Sequence, residues 1–180
     1  MGPRSKAWQW LTVPGIVLAA DGVGYATQYL SIEQAQQAIF PGAVFSEVPL
    51  ALTDQQKTEV NKRAGVPIHN GWPKVWRAAT GGFLVVDEVL GKHEFITYAV
   101  GLHADGTVKQ IEIMDYRESY GYEIRDQEWR KQFVGKTSTD PLKLDKDIKN
   151  ISGATLSSRH ITDGVKKVLA VYDLCLKSQP

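Results

Sequence analysis

Residues 94–102, Glu94-Phe95-Ile96-Thr97-Tyr98-Ala99-Val100-Gly101-Leu102, run through His103-Ala104-Asp105-Gly106 into Thr107-Val108-Lys109-Gln110-Ile111-Glu112-Ile113-Met114. β-Branched and aromatic residues dominate both flanks, and Asp-Gly between them supplies the positive φ that a tight hairpin turn requires. The stretch predicts a β-hairpin. Apolar and polar positions alternate imperfectly along 94–102, which marks a strand buried on both faces rather than a half-exposed edge. A central, mostly antiparallel sheet follows, and the rest of the chain must supply helices to cover it.

Upstream, Ser31 is a capping-type residue before Ile32, Ala35, Ala38 and Ile39 at helical spacing, and Phe40-Pro41-Gly42 ends that helix. Residues 44–50 read as extended. Thr53 caps a second predicted helix that runs to about Ala64 and stops at Gly65-Val66-Pro67. Residues 75–79 and 82–90 read as strands joined at Gly81-Gly82. Downstream, residues 126–134 read as a short helix stopped by Gly135. The last and longest helix is predicted from Ser157 or Ser158 to about Leu176, with Ile161, Val165, Val168, Leu169 and Tyr172 on its apolar face and Cys175 facing the core. The predicted class is α+β, a mostly antiparallel sheet with packed helices and a long C-terminal helix.

Composition agrees with one globular domain: 180 residues, 43% hydrophobic and 23% charged. A formal charge of +1 gives no sign of a nucleic-acid surface. One cysteine excludes an intrachain disulfide and a multi-thiolate metal site. His69, His93 and His103 lack ligand spacing, and Lys92-His93-Glu94 reads as a polar strand start, so no metal is expected. Arg4 and Lys6 precede an apolar run that ends at Ala19-Ala20. This is the pattern of a secretory signal, with a retained N-terminal anchor or a buried helix as alternatives. The expected organisation is a signal or anchor over 1–20, a helix-strand-helix elaboration over 21–80 and a functional core over 81–180, with 21–180 forming one compact domain.

Phosphate-loop, nucleophile-elbow, zinc-protease and dinucleotide fingerprints are all absent from the sequence. Chemistry concentrates instead at Ser152-Gly153-Ala154-Thr155, followed by Leu156-Ser157-Ser158. Gly153 lets backbone approach a ligand, and the amides opening the following helix favour an anion.

Ile151-Ser152-Gly153-Ala154-Thr155-Leu156-Ser157 resembles the flavinylation motif of the FMN-binding domain family, found in subunits of sodium-translocating NADH:quinone oxidoreductases and Rnf-type electron-transport complexes. Residues 115–123, Asp115-Tyr116-Arg117-Glu118-Ser119-Tyr120-Gly121-Tyr122-Glu123, are similar to the family's Glu-Thr-Pro-Gly segment. Residues 129–136, Trp129-Arg130-Lys131-Gln132-Phe133-Val134-Gly135-Lys136, are similar to its Phe-Gly-Lys stretch. The chain departs from the family at Lys149, where an aspartate is usual, and at Ser119-Tyr120, where Thr-Pro is usual.

The resemblance implies FMN held as a phosphoester on Thr155, attached outside the cytoplasm by a separate, magnesium-dependent flavin transferase. It implies cofactor contacts from Ser152, Gly153, Ala154, Ser157, Glu118, Tyr120, Gly121 and Lys136. Ser157 is the alternative acceptor, and Thr155 also reads as a plain helix-start hydroxyl. Lys136, Lys149 and Arg159 are candidate phosphate partners or solvated charges, and His160 is a candidate phosphate or proton partner. Tyr116, Tyr120, Tyr122 and Trp129 could pack on the flavin ring or in the core. Glu118 reads either as a hydrogen-bond partner near the cofactor or as a solvated loop carboxylate.

The implied function is an extracytoplasmic electron-transfer flavoprotein working with redox partner proteins at a bacterial membrane. The rival reading is a non-redox binding module of the cell envelope. A flavin-dependent reductase is a further alternative, without a second nucleotide motif to support it.

Overall fold

The computed structural model describes residues 27–69, 71 and 73–179. The signal or anchor reading of residues 1–20 lies outside the described residues. The elements in chain order are β1 (Thr27–Gln28), α1 (Ile32–Ile39), β2 (Phe45–Val48), α2 (Asp54–Ala64), β3 (Lys74–Ala78), β4 (Phe83–Leu90), β5 (Phe95–Leu102), β6 (Val108–Tyr116), α3 (Gln127–Arg130) and α4 (Thr155–Val171). The six strands form one antiparallel sheet in the order β1-β6-β5-β4-β3-β2.

The predicted hairpin is β5–β6. Gly106 takes φ +88°, His103 N–H donates to the Thr107 carbonyl, and Asp105 accepts from the Thr107 N–H and hydroxyl. β5 is buried on both faces, as its imperfect alternation predicts. Tyr98, Val100 and Leu102 join Ile111, Ile113 and Val85 under α4, where Ile161, Val165 and Val168 are fully buried. Burying each such side chain stabilises by about 1.5–3 kcal/mol relative to exposure. Leu84, Val86 and Ala99 face the other way, against Ala35 and Ile39 of α1. Gly101 stands where α1 comes closest, because a Cβ there would overlap Ile39.

Both N-terminal helices start where their capping residues predict. Ser31 pairs with Gln34 and Thr53 with Gln56 in reciprocal capping boxes. Residues 126–134 differ from the predicted short helix. Only α3 is α-helical, set between 3₁₀ turns at Tyr122–Arg125 and Lys131–Phe133.

The last helix begins at Thr155, two residues before Ser157. No side chain caps it; Ala154 occupies the N-cap, while Ser157 and Ser158 are inside the helix and buried. α4 then gives way to a π-helical turn at Tyr172–Leu176. Cys175 lies in that turn, half-buried rather than fully in the core, and burial pushes its thiol up.

One buried feature was not anticipated from sequence. Lys167 of α4 and Asp87 of β4 form an ion pair at 2.9 Å with both side chains fully buried. Lys167 Nζ also donates to the carbonyls of Glu88 and Pro67, and Tyr98 Oη donates to Asp87 Oδ2 at 2.8 Å. These bonds lock α4 onto the sheet. Among the described residues no helix is long and apolar enough to cross a membrane.

Candidate functional site

Three segments distant in sequence meet at the start of α4: the β4–β5 turn at 91–94, the loop after β6 at 117–121, and residues 151–157. Glu118 joins the first two. Its Oε1 accepts from the backbone N–H of His93 at 2.6 Å and of Glu94 at 3.1 Å, and the residue is buried. A side chain at Gly91 would sit 2.6 Å from that oxygen, so the turn must pass there without a Cβ. Glu118 is therefore neither a solvated carboxylate nor one simply turned to a ligand; it is a latch between two loops.

Burial pushes the Glu118 carboxyl up, while the N–H groups of His93, Glu94 and Lys92 pull it down. The hydrogen bonds win and hold it below its ordinary value of 4.5. A carboxyl depressed in the folded state adds stability that is present above its unfolded pKa and is lost as pH falls through the folded value. Glu118→Gln is expected to lower Tm at neutral pH and to flatten the decline of Tm between about pH 5 and pH 3. Thermal melts across that range check this; an acid limb as steep as that of the unsubstituted chain contradicts it.

Tyr116 joins the second and third segments. Its hydroxyl donates to the Tyr120 carbonyl, which leaves Ser157 Oγ to donate to Tyr116 Oη at 3.1 Å. Gly121, at φ +93°, packs against Ala154, and a Cβ there would lie 2.6 Å from both Ala154 Cβ and Tyr116 Oη. The loop after β6 thus closes directly onto the Ser152-Gly153-Ala154-Thr155 turn.

Between the three segments lies a cavity of about 410 Å³, lined by Lys92, His93, Glu118, Ser119, Tyr120 and residues 153–157. Pockets of this size accommodate cofactors and drug-sized ligands. A larger cavity of about 490 Å³ beside β2 contains none of the cofactor contacts that the resemblance implies. The smaller one is preferred because the motif residues converge on it.

The four hydroxyls of the motif are not equivalent. Ser157 and Ser158 are buried and bonded, Ser157 to Tyr116 and Ser158 to the Ala154 carbonyl at 2.9 Å. Ser152 is exposed but does not line the cavity. Thr155 is partly exposed, lines the cavity, and its Oγ1 accepts from Asn150 Nδ2 at 3.2 Å. Gly153 takes φ +83° at the cavity wall, a conformation that L side chains rarely adopt.

Other sequence candidates stand apart. Lys136 is bound to Asp147 at 3.0 Å and Asp140 at 3.6 Å, away from this cavity. Trp129 is buried, 5.2 Å from the Phe133 ring, and its N–H holds the Lys149 carbonyl. Tyr122 packs edge-on against Tyr116, whereas Tyr120 is 80% exposed at the cavity rim. Arg159 lines a second cavity, of about 340 Å³, that shares Thr155 with the first. His160 lines neither, and its Nδ1 is buried without a partner. Among the described residues no His, Cys, Asp and Glu group has a metal-binding arrangement.

Residues 91–170 match the FMN-binding domain family. Over those residues the chain is similar to FMN-binding domains. The match begins at the Gly91 turn and ends in α4, so all three segments that enclose the cavity fall within it. A search of the curated proteins returns no match. The residues of the matched segment fit an FMN on physical grounds. The cavity is large enough, Lys92 brings positive charge, and the uncapped start of α4 presents backbone amides beside Gly153.

Proposed function

We propose that the FMN-binding domain holds its cofactor covalently, as a phosphoester on Thr155, and acts as an extracytoplasmic electron carrier. The observation that carries the assignment is the inequality of the motif hydroxyls. Thr155 alone among the four combines partial exposure, a place on the cavity wall and an oxygen not committed to the packing of α4.

Bound FMN supplies reversible electron transfer, and the protein supplies position and surroundings. Thr155 anchors the phosphate end, Gly153 and Ala154 leave room beside it, and the 93–94 and 118–120 segments wall the cavity. Glu118 is held ionised by backbone donors, which suits a structural latch and not a proton donor. Thr155 has no histidine or carboxylate partner among the described residues, which supports attachment by a separate flavin transferase rather than by self-activation. The basic and apolar pattern of residues 1–20 supports export, and redox partners at the membrane fit that compartment.

Coexpression with a flavin transferase, followed by intact mass and a visible spectrum, tests the reading. The expected result is a yellow protein heavier by one FMN less one water, bleached by a chemical reductant and restored by an oxidant. A colourless protein of unmodified mass contradicts it and favours a non-redox binding module of the envelope.

A further inference from the structure

Asn150 was not among the residues singled out from sequence, yet its carboxamide is the partner of the proposed acceptor oxygen, at 3.2 Å. Its other end is anomalous. Asn150 Oδ1 is buried and has no hydrogen-bond partner. Buried polar atoms are almost always paired, and an asparagine serving a loop normally spends its oxygen on a backbone N–H. The one side-chain hydrogen bond that Asn150 makes goes to Thr155.

The backbone that carries it is firmly fixed. Gln132 Oε1 accepts from the Lys149 N–H at 2.8 Å, Trp129 Nε1 donates to the Lys149 carbonyl at 2.7 Å, and Ile151 packs on the main core. The Ala154 N–H returns to the Ile151 carbonyl, closing the turn. Asn150 therefore presents its carboxamide from a rigid mount. Threonine in a helix divides between two χ1 wells. A donor placed at Oγ1 favours one of them.

We propose that Asn150 is a positioning residue for esterification of Thr155, a proposal that rests on the covalent reading above. Because Nδ2 occupies a lone pair of Oγ1, the Thr155 O–H points away from Asn150, accessible to a base on the transferase. In the transfer, a flavin dinucleotide is the donor. The Oγ1–P bond forms, the phosphoanhydride P–O bond breaks, a nucleoside monophosphate leaves, and the Thr155 proton passes to the transferase base. No electrons are exchanged. After transfer Oγ1 is an ester oxygen without a proton, and Nδ2 remains a donor beside it, compatible with substrate and product alike.

The test measures initial rates of FMN incorporation into purified chain by a flavin transferase with flavin adenine dinucleotide. Asn150→Ala removes the carboxamide, and Asn150→Asp keeps its shape while replacing the donor with an acceptor. Both are expected to lower kcat roughly 5–10-fold, the worth of one hydrogen bond. KM for the chain is expected to change less than about 2-fold and Tm to stay near that of the unsubstituted protein, since the lost bond acts on one hydroxyl. Unchanged or faster incorporation in either folded variant overturns the proposal, as does a loss fully explained by unfolded protein. Should the unsubstituted chain take up no FMN, the covalent reading fails and the role of Asn150 fails with it. Normal uptake by the unsubstituted chain with undiminished rates in both variants removes only the role of Asn150.

Discussion

Lys167→Met is expected to destabilise the folded chain by about 3–5 kcal/mol, the cost of leaving one partner of a buried ion pair uncompensated. Lys167 and Asp87 are both fully buried, 2.9 Å apart. Methionine fills much of the lysine volume, so the loss measures charge and hydrogen bonding more than a cavity. It strands the Asp87 carboxylate, whose Oδ1 already lacks a partner and whose Oδ2 would keep only Tyr98. Two backbone carbonyls, of Glu88 and Pro67, lose their donor as well. Adding Asp87→Leu to Lys167→Met is expected to recover part of the loss, because an apolar pair of similar volume removes the stranded charge. Urea unfolding of the single and double variants checks both statements. A single-variant loss below about 1 kcal/mol would show that the pair is not desolvated as described.

Thr155→Ala is expected to abolish covalent FMN completely while leaving the fold intact. Thr155 is partly exposed at the first position of α4 and caps nothing, so its hydroxyl contributes little to stability. The neighbouring serines cannot substitute. Ser157 Oγ is buried and bonded to Tyr116, and Ser158 Oγ is buried and bonded to the Ala154 carbonyl one turn back. Ser157→Ala is expected to retain one FMN per chain and to loosen the loop after β6, because Tyr116 loses the donor that links it to α4. Intact mass after incubation with the transferase separates the variants. FMN uptake by Thr155→Ala equal to that of the unsubstituted chain contradicts the assignment.

Local features of this fold were legible in the sequence, because the physics that sets them is local. Ser31 with Gln34, Thr53 with Gln56, and Asp105-Gly106 each carry their own partners within three residues, and each forms the structure its chemistry favours. What the sequence concealed depends on partners far along the chain. A lysine in a helix reads as a surface charge, and nothing near Lys167 announces Asp87, eighty residues earlier in another element. Ser157 and Ser158 carry the signal of a helix start, because serine caps helices. Their hydroxyls instead turn inward to Tyr116 and to the preceding turn, so α4 begins earlier, at Thr155.

The candidate site divides in the same way. Gly153, Ala154 and Thr155 were found by their spacing, and they line the cavity. Glu118 lines the same cavity, but its latch to the 93–94 backbone requires the β4–β5 turn to fold against it. Gly121 marks a close approach to Ala154 that only the assembled loops reveal. Lys136 belongs to the Phe-Gly-Lys stretch that the resemblance brings to the cofactor, and two nearby aspartates hold its ammonium away from this cavity. Asn150 had one sequence signal, an amide five residues before the acceptor threonine, too common a pattern to single out.

Fragment mass spectrometry of the chain after treatment with a flavin transferase and flavin adenine dinucleotide tests the central assignment most directly. The result expected is one FMN per chain, retained through denaturation and localised by fragment ions to Thr155. FMN released on denaturation, or fragment ions that place it on Ser152 or Ser157, would contradict the covalent anchor proposed for this domain.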